Sequence, residues 1–261
     1  MRVWPFKVRA SFGTTASRRA NKGSSAWLKK GLALVMTALL VGSMALTAHG
    51  SHTVITSSDV TYNPSSWNGY KVYLSSPRHS DSGGRGECGW EENINGRHWN
   101  IYAASTTSGG QGGLKNRGYK VTVSANARDN GWATNRQSSN NWGADVHIVT
   151  HTNATGSGCG EPAQYLLVMY RSGDNNSIGF KNDLITTLNP AVPGGSNSWD
   201  CDHLGECNNN LLAAHRAYVE LFFHTSQSAV SNWFQAGGGV GDGIDSAWRL
   251  GYGVDLHLGY P

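Results

Sequence analysis

Apolar and polar positions between residues 70 and 258 alternate between two rhythms. Short apolar runs rich in β-branched and aromatic residues, KVYLS (71–75), YKVTVSA (119–125), VHIVT (146–150), QYLLVMY (164–170) and AYVELFF (217–223), predict strands. The segments between them predict helices over Glu91 to about Ser105, Trp132–Trp142, Ser177–Leu188, Ser226–Ala236 and about Ile244–Leu258. Glycines between Gly109 and Gly113 break the first helix, and a Pro/Gly/Asn/Ser-rich stretch from Asn189 to Asn210 reads as a long loop. Strands and helices alternating at this spacing predict an α/β fold. The expected architecture is a single domain with a mostly parallel twisted sheet and helices on both faces. In such sheets ligands sit beyond the carboxyl ends of the strands, so the polar residues there deserve comparison.

The first 48 residues follow neither rhythm. They hold eight Lys and Arg and no Asp or Glu, and from Gly31 they run into an apolar stretch that ends in small residues. A basic region, an apolar region and a small-residue boundary predict a secretory signal peptide over 1–48. The competing reading is a membrane anchor over 31–48, against which the Gly, Ser and Thr within the run speak. Residues 49–69 then read as an N-terminal linker and 70–261 as the folded domain, with no stable membrane span after leader removal. The leader also carries the basic balance. Of 21 Lys and Arg it holds 8, so 13 remain against 17 Asp and Glu, and the net charge of +4 becomes about −4. No nucleic-acid partner is implied.

Export agrees with the cysteines. Cys88, Cys159, Cys201 and Cys207 form an even set, which in an exported chain favours disulfides. Four cysteines allow three connectivities, and the sequence does not choose among them. Cys201 and Cys207 flank a short DHLGE loop that a bond between them would close, leaving Cys88 with Cys159. A four-cysteine zinc site fits poorly because no C-x-x-C pair is present.

Candidate chemistry gathers at strand ends. His79 follows strand 71–75, Glu91 opens the next helix, and His151 follows strand 146–150. Two histidines and a carboxylate are a ligand set that leaves zinc one open position for water, as catalytic sites require. Gly83, Gly84, Gly86 and Gly89 let the intervening loop curl so that both of its ligands reach one ion. Taken singly, each has a plainer role: a surface histidine, or a carboxylate in a helix first turn. Glu220 is the sharper signal, because it interrupts the apolar run AYVELFF, where a carboxylate is costly to bury unless paired or near a metal. If AYVELFF were an edge strand, Glu220 would simply face solvent. Beside a zinc-bound water it would serve as general base and then as general acid.

These residues, in this order, resemble the zinc-dependent N-acetylmuramoyl-L-alanine amidases. VYLSSPRHSDSGGRGECGWEEN is similar to their strand, Gly-His-Gly-Gly-like turn and helix-opening Glu. GYKVTVSANARD is similar to their Gly-Tyr-x-Val strand with Thr-Arg-Asp. ADVHIVTHTNA resembles Ala-Asp-strand-Ile-His-Ala-Asn, and YVELFFHTS resembles Val-Glu-Leu-Gly-Phe. The resemblance implies zinc held by His79, Glu91 and His151, with Glu220 as the catalytic glutamate. The substrate it implies is peptidoglycan, cut at the amide between the lactyl group of N-acetylmuramic acid and L-alanine. It also implies a secreted, wall-associated enzyme. Glu92 rivals Glu91 for the metal, and the family position favours Glu91. Arg78, Ser80, Phe222 and His224 depart from the family pattern and suggest a divergent member with a reshaped cleft. Asn153 and His224 are candidates to support the site from behind. His147, on the same face as His151, reads as a buried, hydrogen-bonded histidine, and His98, His203, His215 and His257 as structural or surface residues.

Two other readings remain open. The zinc could serve a peptidase acting within stem peptides, or the aromatic-rich chain could be a non-catalytic wall-binding domain. A serine hydrolase is disfavoured by the absence of a G-x-S-x-G elbow.

Overall fold

In the computed structural model a seven-stranded sheet runs in the order β1-β5-β2-β6-β9-β7-β8. The structure describes residues 58–77, 92–105, 107–108, 111–125, 131–153, 165–191, 194–223, 225–226 and 244–260. All of them belong to one compact unit, His49–Pro261. The strands of the sheet are β1 (Val60–Tyr62), β2 (Lys71–Ser75), β5 (Lys120–Val123), β6 (Val146–Asn153), β7 (Leu166–Met169), β8 (Ser196–Asn197) and β9 (His215–Phe223). A two-stranded hairpin, β3 (Thr107–Ser108) with β4 (Gln111–Gly112), stands apart. The helices are α1 (Glu92–Ser105), α2 (Gly131–Trp142), α3 (Asn175–Leu188) and α4 (Ile244–Leu258).

The centre of the sheet, β5-β2-β6-β9, is parallel throughout, as the βα alternation predicts. Its flanks are not. β1 pairs antiparallel with β5, and β7 pairs antiparallel with β9 before β8 returns to the parallel sense. Residues 60–62, within the stretch read from sequence as a linker, therefore add a short strand to one edge. The predicted helix over 226–236 lies outside the described residues.

Strand alternation divides the sheet into two faces. One face carries Val72, Leu74, Val121, Val146, Ile148, Val168, Val219 and Leu221. Against it pack Trp99, Ala103 and Ala104 of α1, Phe180, Leu184 and Leu188 of α3, and Ala247, Leu250 and Val254 of α4. This is the main core, built from one apolar stripe per helix. α3 starts cleanly because the Asp174 side chain accepts from the backbone N–H groups of Asn176 and Ser177, at 3.0 and 3.2 Å.

The opposite face is smaller and more polar. Val149, Leu167, Met169 and Tyr218 pack there with Cys201 and Cys207. These two cysteines form a disulfide that closes the short turn between them, the pairing that their flanking of DHLGE allowed. Cys88 and Cys159 lie outside the described residues. α2 covers the rest of this face. Its sequence, GWATNRQSSNNW, is a poor helix former, and its buried residues are Gly131, Asn135 and Ser139. The helix is held by polar contacts to the sheet and by Trp132, which packs directly on the backbone of Gly205 in the disulfide turn. Among the described residues, no helix is long and apolar enough to cross a membrane.

Candidate active site

His151 and Glu220 face each other across the central sheet. β6 and β9 are adjacent and parallel, and His151 pairs in register with Glu220 near their carboxyl ends. Register partners share a face, so both side chains leave the sheet on the α2 side, where each is half-buried. The ladder is irregular just beyond. From His151 to Asn153 on β6 the partners advance from Glu220 to Phe223 on β9, so one strand gains a residue and bends there. Such irregularities re-aim side chains at strand ends.

The strand was expected to stop at Thr150 with His151 beyond its tip, and in the structure it runs on to Asn153. The reason is β9, which extends to Phe223 and supplies partners along that whole length. Glu220 is also no edge-strand residue. β9 lies between β6 and β7, and Glu220 pairs with Leu167 as well as with His151. The solvent-facing reading of this carboxylate is thereby removed.

The imidazole of His151 is oriented from within its own strand. Its Nδ1 lies 3.0 Å from the backbone carbonyl oxygen of Thr152. A carbonyl only accepts, so Nδ1 carries the proton and, in the neutral ring, Nε2 keeps its lone pair. This is the tautomer that a metal-ligating histidine needs, with the second nitrogen tied to a backbone carbonyl. The ring also lies 5.7 Å, centroid to centroid, from that of Tyr218, two residues before Glu220 on β9.

The remaining predicted residues are less completely placed. β2 ends at Ser75 beside Val149, so the segment that leaves it toward residue 78 starts next to the His151 end of β6. His79 and Glu91 belong to that segment and lie outside the described residues, as does His224. Asn153 is the last residue of β6 and is half-buried. Glu92 is the first residue of α1. Among the described residues, no three His, Cys, Asp or Glu side chains form a group able to hold a metal. His151 fits a metal by its tautomer. The rest of a ligand set would have to come from beyond the described residues.

Beneath this pair lies a polar cluster that the sequence reading missed. Glu206, in the disulfide turn, is 2% exposed. Its Oε1 accepts from the Ser75 hydroxyl at 2.5 Å and from His147 Nε2 at 3.2 Å. Asn135 of α2 donates to the same Ser75 oxygen at 2.9 Å, and His147 Nδ1 meets the Ser139 hydroxyl at 2.9 Å. The His147 ring stacks on Tyr73, 5.3 Å away and 11° from parallel. His147 is thus buried and fully hydrogen-bonded. Nothing local in DHLGEC marks Glu206 as buried, because its partner Ser75 is 131 residues away. The available hint was that the turn is closed by cysteines and sits between two strands of one sheet.

The sequence matches no protein-family model and no curated protein. Among solved structures the likeness is consistent. The catalytic domain of CwlV, an N-acetylmuramoyl-L-alanine amidase from Bacillus (Paenibacillus) polymyxa var. colistinus, superposes with a TM-score of 0.55 at 15% identity, covering 74% of this chain and 99% of that one. The amidase Ami1 from Mycobacterium smegmatis gives 0.55 at 16% identity over 76% of this chain and all of its own. An N-acetylmuramoyl-L-alanine amidase from Clostridium difficile 630 gives 0.53 at 18%, over 73% and 97%. At least 97% of each of these three structures is covered by this chain, and the fold is that of N-acetylmuramoyl-L-alanine amidase catalytic domains.

Proposed function

We propose that the chain is a secreted, zinc-dependent peptidoglycan amidase that cleaves the bond between the lactyl group of N-acetylmuramic acid and the L-alanine of the stem peptide. The observation that carries this reading is the in-register pairing of His151 with Glu220 on one face of the sheet, at the strand ends of an amidase-type fold. Residues 1–48 would direct export and be removed.

His79, Glu91 and His151 would hold the zinc. When bound, zinc polarises the scissile carbonyl and lowers the pKa of a coordinated water from 15.7 towards roughly 7. His151 presents Nε2 because Thr152 holds the Nδ1 proton. Glu220, beside it, takes a proton from the attacking water and returns it to the departing L-alanine amine, so one carboxylate serves as base and then acid. The half-buried setting of Glu220 limits competing water and strengthens its electrostatic contacts.

The test is metal content and hydrolysis of soluble muropeptides by the chain lacking 1–48. Wild type should carry one zinc and release free L-alanine amines. His151→Ala should lose the metal and nearly all activity. Glu220→Gln should keep the metal while activity falls on the order of 10²- to 10⁴-fold. A folded, zinc-free wild type that binds peptidoglycan without cutting it would sink the amidase reading and leave a wall-binding domain.

A further inference from the structure

We propose that Ser76, Asn100 and Thr150 form a buried clamp that positions the three zinc-ligand segments relative to one another. The inference rests on the zinc reading of His79, Glu91 and His151, and it names positioning residues that touch neither metal nor substrate. Ser76 lies three residues before His79, and Thr150 immediately precedes His151. Asn100 belongs to α1, the helix that begins directly after Glu91. Each element that carries a proposed ligand therefore contributes one member.

The three side chains close a ring. The Asn100 amide donates to Ser76 Oγ at 2.5 Å, and its Oδ1 accepts from the Thr150 hydroxyl at 2.7 Å. The two hydroxyl oxygens are 3.5 Å apart, so each hydroxyl can donate once and accept once around the ring. The Thr150 hydroxyl also lies 3.1 Å from the Ser75 carbonyl oxygen, and the Ser76 N–H donates to Ser124 Oγ at 2.9 Å. On the other side of the sheet Ser75 is held by Glu206 and Asn135. The chain is thus fixed on both faces as it leaves β2 toward His79.

Placement separates this clamp from ordinary core packing. Asn100 is fully buried, and Ser76 and Thr150 nearly so. They continue the face of β2 and β6 whose preceding positions, Val72, Leu74, Val146 and Ile148, are all apolar. Apolar groups of the same shape would serve stability there about as well. What a closed polar ring adds is one permitted arrangement of the parts that it joins. A metal site needs that, because its ligands must be held to within about 0.5 Å. The polar ring also appears at the strand ends, directly behind His151, which projects from the opposite face.

The experiment measures zinc affinity of the metal-free chain lacking 1–48 by competition with a chelating dye, well below the melting temperature. Thr150→Val keeps the shape and removes the hydroxyl, whereas Thr150→Ser keeps the hydroxyl and removes a buried methyl group. A merely structural role predicts that both variants, once folded, bind zinc as wild type does. Positioning predicts a zinc dissociation constant raised about tenfold in Thr150→Val and in Asn100→Leu, with Thr150→Ser close to wild type. The Thr150 pair decides even if Asn100→Leu does not fold. Unchanged affinity in Thr150→Val, or a greater loss in Thr150→Ser, overturns the clamp and leaves the amidase reading standing. A folded wild type that takes up no zinc overturns both. Zinc bound with the expected order of affinities, but without muropeptide cleavage, keeps the clamp and removes the amidase.

Discussion

Glu206 and Glu220 are two carboxylates away from full solvent exposure, and their sequences advertise them very differently. Glu220 interrupts AYVELFF, so its cost is visible in the string itself, and the structure places it on an interior strand. Glu206 sits in a turn that reads as solvent-facing, yet it is 2% exposed and bonded to Ser75 and His147. Removing it should leave a buried hydroxyl and a buried imidazole without an acceptor. Glu206→Ala is expected to lower unfolding free energy in urea by about 1–3 kcal/mol, and Glu206→Gln, which keeps an acceptor, by less. Equal losses from the two would show that the carboxylate's charge, rather than its volume or a neutral acceptor, holds this position.

At the scale of elements, covalent and steric contacts can be tested one by one. The Cys201–Cys207 bond closes a loop with a sequence separation of 6. Loop-closure entropy for so short a ring gives about 2 kcal/mol, so the double Cys201→Ser/Cys207→Ser variant should unfold at correspondingly lower urea. The contact between α3 and α4 is tighter still. A Cβ at Gly253 would come within 2.8 Å of Thr187 Oγ1 and 2.9 Å of a Leu184 methyl carbon. Gly253→Ala should therefore destabilise by about 1–3 kcal/mol, although alanine is the better helix former by up to about 1 kcal/mol. A neutral or stabilising result would mean that α4 can slide on α3.

The central strands were legible because each is a β-branched or aromatic run, and α4 because its apolar positions repeat at helical spacing. Three features were not. The antiparallel sense of β7 follows from its partner β9 and not from LLVM itself. The last three residues of β6 are polar, and only the length of β9 makes them strand. The third is what holds α2: the helix itself was expected over Trp132–Trp142, but Asn135, Ser139 and Trp132 meet groups that come from elsewhere in the chain.

At the scale of the whole molecule, acid should weaken the fold through the base of the sheet. His215 opens β9, and its Nδ1 lies 2.9 Å from His257 Nε2 on α4, whose other nitrogen is 3.0 Å from Asp183 on α3. Burial, and next the neighbouring His257, holds the His215 pKa below its usual 6.5. The unfolded chain then binds the extra proton first. This contribution to stability is intact above about pH 6.5 and is lost as pH falls from there toward the folded value. Melting temperature should drop between about pH 7 and 5, and His215→Gln should flatten part of that slope. An unchanged slope in the variant would assign the acid sensitivity to other groups.

The pairing of His151 with Glu220 depends on counting as much as on chemistry. Successive strand residues point to opposite sides, so one residue inserted into β9 between Arg216 and Val219, or deleted there, would turn Glu220 toward α1, α3 and α4 if the rest of the ladder held. Point substitution in that stretch can be mild while a single-codon insertion is not. Over evolutionary time, length changes should be admitted in the connection between β8 and β9, at some cost to the disulfide turn, and refused within these few residues of β9.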